Sequence, residues 1–210
     1  MYKYYYLFDL ISLLLVYIAF FLPRWKSSRR ELFLKSTFYI YICFVLYFTL
    51  MPFVIPIPFV NFRMRSSNIS LMPFYDFLHG HGGAAREFVL NIIMMVPYGI
   101  LVPFIYRKKM LSTIKYTLGF SLLIETFQIF SYGGSRSFDT TDLISNLLGG
   151  IAGYLLYTLF CPLATFLMNK IFRDSETVNK KPYKAAKRDR ILFGIIILQL
   201  LVRSALVAYL

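Results

Sequence analysis

The sequence contains few of the residues on which metal sites and nucleophilic sites commonly depend. Its 210 residues include only two cysteines and two histidines. Cys43 and Cys161 lie inside apolar runs without metal-ligand spacing, where a free cysteine usually behaves as a small buried hydrophobe. The chain also lacks an activated serine or cysteine signature, a glycine-rich phosphate loop and a paired-histidine phosphatase pattern. We therefore predict no metal ion and no cofactor.

Acidic residues are also scarce. The 10 Asp and Glu stand against 23 Lys and Arg, which gives a net charge of +13. Such an excess can indicate binding to nucleic acid, but here the basic residues lie in blocks between apolar runs rather than on one soluble face. The charge rule of membrane topology explains that distribution more economically. We predict no nucleic-acid partner.

Apolar sequence, by contrast, is abundant. Hydrophobic residues make up 58% of the chain and aromatic residues 19%, whereas soluble domains are roughly 45 to 50% apolar. Six runs approach the ~20 residues with which a helix crosses a ~30 Å hydrocarbon core. The predicted fold class is therefore all-α, a polytopic transmembrane bundle of about six helices. The runs cover residues 5–22, 36–55, 87–106, 116–132, 142–168 and 191–210.

The blocks of basic residues predict how these helices are oriented. Most Lys and Arg fall in residues 23–35, 107–115 and 169–190, and the positive-inside rule assigns such blocks to the cytoplasm. The amino terminus is then outside, together with a long loop from 56 to about 86 and a short turn after 132. The loop carries many apolar residues, so we expect part of it to lie on the membrane surface.

A cluster of polar residues interrupts the apolar pattern near the outer face. Burying such groups in hydrocarbon is costly unless they find partners. At ~1.5 Å per residue, Asn91 and Asn146 lie ~6 Å deep and Glu125 ~10 Å deep, so we expect one polar layer with a charged rim. The predicted site residues of this layer and rim are Arg86, Asn91, Glu125, Gln128, Arg136, Asp139, Asp142 and Asn146.

Structural roles can explain several of these residues. Asp139 and Asp142 stand where a helix begins, so both suit helix capping and the helix dipole. Asn91, Gln128 and Asn146 suit hydrogen bonds between membrane helices, and Glu125 could serve in the same way.

Three smaller patterns also carry expectations. Gly149 and Gly153 form a GxxxG face, which permits close contact between membrane helices. Asp9 and an arginine in the last run, Arg203, fall at similar depth and suit an ion pair. The remaining pattern is an HxH pair, His79 and His81, which could bind a metal but better fits a solvated turn.

Several short motifs follow one another between about residues 71 and 154. They are LMPF at 71–74, Asn91 with Pro97, Gly99 and Pro103, Gly119, Glu125 with Gln128, Arg136, FDxxDxxxN at 138–146, and Gly149 with Gly153. In order and spacing, these motifs resemble the VanZ-like family of bacterial membrane proteins. Ser70 and Thr141 depart from the pattern, since the family often has Asn before LxPF and a second acid next to Asp142.

The resemblance implies a multi-pass protein of the bacterial cytoplasmic membrane, associated with resistance to teicoplanin-type glycopeptides and lipoglycopeptides. Together with the apolar runs and the basic blocks, it divides the chain into two amino-terminal helices (1–55), a VanZ-like core (56–168), a basic cytoplasmic linker (169–190) and a sixth helix (191–210). The expected partners are membrane lipids and a lipid-linked cell-wall precursor or a lipoglycopeptide.

Three functions fit the polar layer. In the first, Arg136 and Arg86 bind the phosphate or carboxylate of an anionic amphiphile at the outer leaflet, because guanidinium groups grip such groups bidentately. In the second, the protein is an enzyme on a lipid-linked phosphate, with Glu125 as catalytic general base and the two aspartates orienting the substrate or a divalent cation. In the third, it is a small transporter or flippase, although no inverted repeat is visible.

Overall fold

The computed structural model describes residues 2–51, 69–80, 82–129 and 137–172. The predicted basic linker, apart from its first residues, and the predicted sixth helix lie outside this part of the chain. Three residues that the sequence analysis named for a site or an ion pair also lie outside it, namely His81, Arg136 and Arg203.

The described residues form an all-α structure, as predicted. The first helical stretch comprises α1 (Tyr2–Val16), a π-helical segment (Tyr17–Phe21) and α2 (Leu22–Trp25). It is followed by α3 (Arg29–Thr49), α4 (Tyr75–Leu78), α5 (Ala84–Tyr106), α6 (Met110–Gln128) and α7 (Thr140–Ile171). Two short strands, β1 (Ile69–Ser70) and β2 (Phe138–Asp139), complete the described elements.

Four helical stretches of the described chain are long and apolar enough to cross a membrane, namely Tyr6–Trp25, Arg29–Thr49, Ala84–Tyr106 and Thr140–Ile171. The predicted fourth crossing corresponds to α6, which is not among them. Its sequence is less apolar, because α6 carries Lys115 and a polar row at every fourth position. Thr113, Thr117, Ser121 and Glu125 form this row, and all four side chains are buried.

Several helix boundaries differ from the predicted apolar runs. α3 begins at Arg29 rather than near 36, because Ser28 caps it and accepts a hydrogen bond from the Glu31 amide at 3.4 Å. It also ends at Thr49 rather than near residue 55. α6 begins at Met110, six residues before the predicted run, because residues 110–115 also belong to the helix. It ends at Gln128, so the predicted end near 132 is wrong.

The chain divides into two compact units, which are described separately. Within the described residues, unit one comprises 2–51 with 168–172 and unit two comprises 69–80, 82–129 and 137–167. In unit one, α3 packs on the first helical stretch. The Tyr39 hydroxyl donates to the Leu13 carbonyl at 2.7 Å, and Tyr17 and Ser36 share a hydrogen bond of 2.7 Å. Asp9 is fully buried in this unit, and its pairing with Arg203 stays a prediction.

In unit two, α5 and α7 meet backbone to backbone at glycines. A Cβ atom on Gly153 would lie 2.1 Å from the Val96 carbonyl oxygen, and one on Gly99 would lie 2.2 Å from that of Gly150. Only hydrogen fits in such spaces. The predicted close contact at the GxxxG face is therefore confirmed, and Gly99 of α5 belongs to the same contact.

α6 packs beside both of these helices. Its polar row meets α7, where the Thr117 side chain lies 2.6 Å from where a Cβ on Gly150 would be. On α5, the Tyr98 ring stacks on Phe120 of α6 with centroids 5.0 Å apart. α6 thus turns its small polar residues towards glycine backbone and an aromatic residue towards α5.

The two strands join distant parts of unit two. β1 pairs with β2 in parallel, with Ile69 opposite Phe138 and Ser70 opposite Asp139. The Thr140 hydroxyl adds a hydrogen bond to the Ser70 carbonyl at 3.2 Å. β1, which precedes α5, and β2, which precedes α7, therefore lie at the same end of unit two, as the predicted topology requires. We call this end the strand end.

Candidate functional site

Glu125 lies in the last turn of α6, at the strand end. Its side chain is 1% exposed, and its Oε2 accepts a hydrogen bond from the Asp139 amide at 3.1 Å. The predicted depth of ~10 Å rested on a helix reaching residue 132. Because α6 ends at Gln128, Glu125 instead lies at the level of the turn that leads into α7.

Asp139 begins α7 as a helix cap. Its Oδ1 accepts a hydrogen bond from the Thr141 amide at 2.7 Å, which satisfies one of the free amides of the first turn. The predicted capping role is confirmed for this residue. Since the Asp139 amide also donates to Glu125, one residue joins the start of α7 to the end of α6.

Asp142 joins α7 to α5. Its Oδ1 accepts a hydrogen bond from the side-chain Nδ2 of Asn91 at 2.7 Å. Asp142 also lies in the first turn of α7, where a negative charge complements the helix dipole. The sequence predicted Asn91 and Asp142 in one region, and the structure joins them directly.

Asn146 lies one helical turn further along α7 from Asp142. Its side chain is 1% exposed, and its Nδ2 donates to the Ser121 hydroxyl of α6 at 2.9 Å. Its Oδ1 is buried and has no hydrogen-bond donor within the part of the chain that the structure describes. Leaving such an oxygen unsatisfied costs about 1–3 kcal/mol.

Several acidic side chains lie together at the strand end. Glu125, Asp139 and Asp142 lie close enough to repel one another, and Glu87 and Asp76 add to the negative field at Asp142. Hydrogen bonds from Asn91 and from backbone amides offset part of this repulsion. Among the described residues, no group of three His, Cys, Asp or Glu side chains could hold a metal ion.

Two threonines complete the arrangement, and the sequence reasoning did not predict them. Thr141 is 7% exposed, and its hydroxyl accepts a hydrogen bond from the Phe74 amide at 2.8 Å. Thr140 donates to the Ser70 carbonyl. The available signal was the departure from the family pattern at Thr141, which marked this position as unusual without indicating its partner.

The remaining predicted residues take different positions. Arg86 is exposed in the first turns of α5, and Gln128 is half-buried at the end of α6. Of the HxH pair, His79 shares a hydrogen bond of 2.9 Å with the Tyr75 carbonyl and stacks on the Tyr75 ring. His81 lies outside the described residues, so the interpretation of the pair as a solvated turn rather than a metal site stays a prediction.

Comparison with known proteins identifies a family for most of these residues. The family model described as VanZ/LLP1 matches residues 38–163. Protein VanZ from Enterococcus faecium is 34% identical over 101 residues, which are 47% of this chain and 56% of that protein. The chain thus spans little more than half the length of this curated relative. No solved structure matches the chain.

Proposed function

The chain belongs to the VanZ/LLP1 family, and from that premise we propose that it contributes to resistance against teicoplanin-type glycopeptides by binding an anionic amphiphile at the outer leaflet. The amphiphile is a lipid-linked cell-wall precursor or the lipoglycopeptide itself. Binding at the membrane surface would lower the access of the drug to its target. The positive-inside distribution supports an outward orientation of the strand end.

The observation that carries this proposal is the position of Arg86. It is exposed on α5, a little more than one turn before Asn91, whose amide binds Asp142. Its guanidinium therefore belongs to the surface above the polar layer, where the phosphate or carboxylate of an amphiphile would lie. Arg136 is three positions before Asp139 in the sequence and supplies the second cation of the proposed site.

The carboxylates of the strand end fit a supporting role in this proposal. Asp139 caps α7, Asp142 holds Asn91, and Glu125 holds the Asp139 amide. Each carboxylate thus has an oxygen committed to a hydrogen bond within unit two. This supports binding over catalysis, because a general base needs access to the proton that it removes, whereas Glu125 is 1% exposed.

Two arginine variants test the proposal. Hydrogen bonds to charged groups contribute about 1.5–3 kcal/mol, so Arg136→Ala or Arg86→Ala should weaken ligand binding about tenfold to a hundredfold. The measurement is the minimal inhibitory concentration of teicoplanin in a susceptible host that expresses each variant. Arg136→Lys should restore only part of the effect, because lysine cannot bind bidentately.

The matched control is Arg107→Ala, which removes an exposed arginine at the opposite end of α5. Immunoblots of membrane fractions establish that the variants are present in equal amounts. Resistance that is unchanged in the Arg86→Ala, Arg136→Ala double variant would contradict the proposal. Release of product from a purified lipid phosphate, lost in Glu125→Gln, would instead favour an enzyme.

A further inference from the structure

A continuous apolar surface lies between β1 and α5. Leu71 is 71% exposed, Met72 53% and Leu78 67%, although each side chain is large and apolar. Phe74 and Phe77 between them are also exposed. Single exposed apolar residues are common on protein surfaces, but a contiguous group usually marks a contact with another phase or molecule. We call residues 71–78 the apolar segment.

The apolar segment is held in place by the start of α7. The Thr141 hydroxyl accepts from the Phe74 amide at 2.8 Å, and the Thr140 hydroxyl lies 3.3 Å from the Leu71 carbonyl. Phe74 has a φ of 60°, a left-handed conformation that is unfavourable for a bulky residue. The hydrogen bonds to Thr140 and Thr141 fix the backbone of the segment, including the unfavourable φ of Phe74, in the conformation that exposes its apolar side chains.

The same surface continues onto a helix that is long and apolar enough to span the membrane. The rings of Phe74 and Phe77 each lie 5.9 Å from the ring of Phe88 on α5. The next exposed apolar residues of α5 are Val89, Leu90 and Ile93. In a spanning helix, exposed residues of this kind face lipid, and the contacts of Phe74 and Phe77 with Phe88 place the apolar segment beside the start of that helix.

We propose that the apolar segment lies in the outer leaflet, with Leu71, Met72 and Leu78 inserted among lipid chains just below the head groups. Tyr75 stacks on His79 with ring centroids 4.0 Å apart, and tyrosine is enriched at the membrane interface. The occupant of the surface is thus bulk lipid of the same membrane. This inference does not depend on an anionic ligand or on drug resistance.

The single tryptophan of the chain makes the inference directly measurable. Trp25→Phe removes the native indole, and Leu78→Trp then places one at the apolar segment. In vesicles of phosphatidylcholine brominated near the head group, this indole should lose about half of its emission, because interfacial segments enter ~5–10 Å into the boundary. Leu71→Trp in the same background should behave alike, which covers the case in which one variant fails to fold.

Gly82→Trp in the Trp25→Phe background is the matched control. Gly82 is exposed in the same loop, and a side chain there meets no atom within 4 Å. This indole should emit as in water and respond mainly to soluble iodide. Iodide quenching of Leu78→Trp and Leu71→Trp equal to that of Gly82→Trp would overturn the inference. So would protection from both quenchers that grows with protein density, which would indicate a second copy of the chain.

Discussion

Alanine at Gly153 tests whether the contact between α5 and α7 organises unit two. The added Cβ would lie 2.1 Å from the Val96 oxygen and 2.9 Å from the Gly99 Cα. Both are backbone atoms, so no side chain can rotate away and the two helices must separate. We expect Gly153→Ala to destabilise the folded protein through this forced separation.

The expected loss follows from two opposing effects. Overpacking costs typically about 1–3 kcal/mol, and alanine returns roughly 0.5–1 kcal/mol relative to glycine inside a helix. Because the opposing atoms are backbone, we place the overpacking cost near its upper limit and the net loss near ~2 kcal/mol. For a chain of this size each kcal/mol corresponds to about 2–4 °C, so Tm should fall by ~4–8 °C.

Gly119→Ala is the matched control. Gly119 lies in α6, and an added Cβ there would meet no atom within 4 Å. The same substitution should therefore raise stability by roughly 0.5–1 kcal/mol, or about 1–4 °C. The assay heats detergent-solubilised protein and measures the monodisperse fraction by size-exclusion chromatography. Equal Tm values for the two variants would refute the backbone contact.

Two further predictions concern the hydrogen bonds of the strand end. Glu125→Ala leaves the Asp139 amide without its acceptor and should cost about 1–3 kcal/mol, whereas Glu125→Gln keeps an acceptor and should cost less; equal Tm losses would argue against this bond. Asn91→Ala and Asp142→Ala should show a coupling of about 0.5–3 kcal/mol in a double-mutant cycle of thermal stability. Strictly additive losses would mean that the Asn91–Asp142 bond at 2.7 Å does not form.

Apolar runs predicted the helices well but not where they end. A run measures how much of a helix can face lipid, whereas a helix continues for as long as its backbone hydrogen bonds and caps allow. Residues 29–35 and 110–115 are polar enough to read as loop, yet they belong to α3 and α6. The capping oxygen of Ser28 was the local signal for the start of α3.

The candidate site was predictable as a region rather than as a set of bonds. Helical rise placed Asn91 of the third run at the same membrane depth as the first residues of the fifth run. The structure joins Asn91 to Asp142, the first residue of that run, by a hydrogen bond. The partner of Glu125 was not predictable, because a backbone amide carries no residue-specific signal. The role of Thr141 depends on a loop 67 residues earlier in the chain, and a separation of that size leaves no periodic pattern in the sequence.

The bond between Asn91 and Asp142 also has a consequence for biogenesis. The two residues are 51 positions apart, so a ribosome that adds about 5–20 residues per second synthesises Asp142 ~3–10 s after Asn91. α5 is therefore made before the final partner of the Asn91 side chain exists. Completion of this bond has to await α7, so it marks a late step in the assembly of the nascent chain.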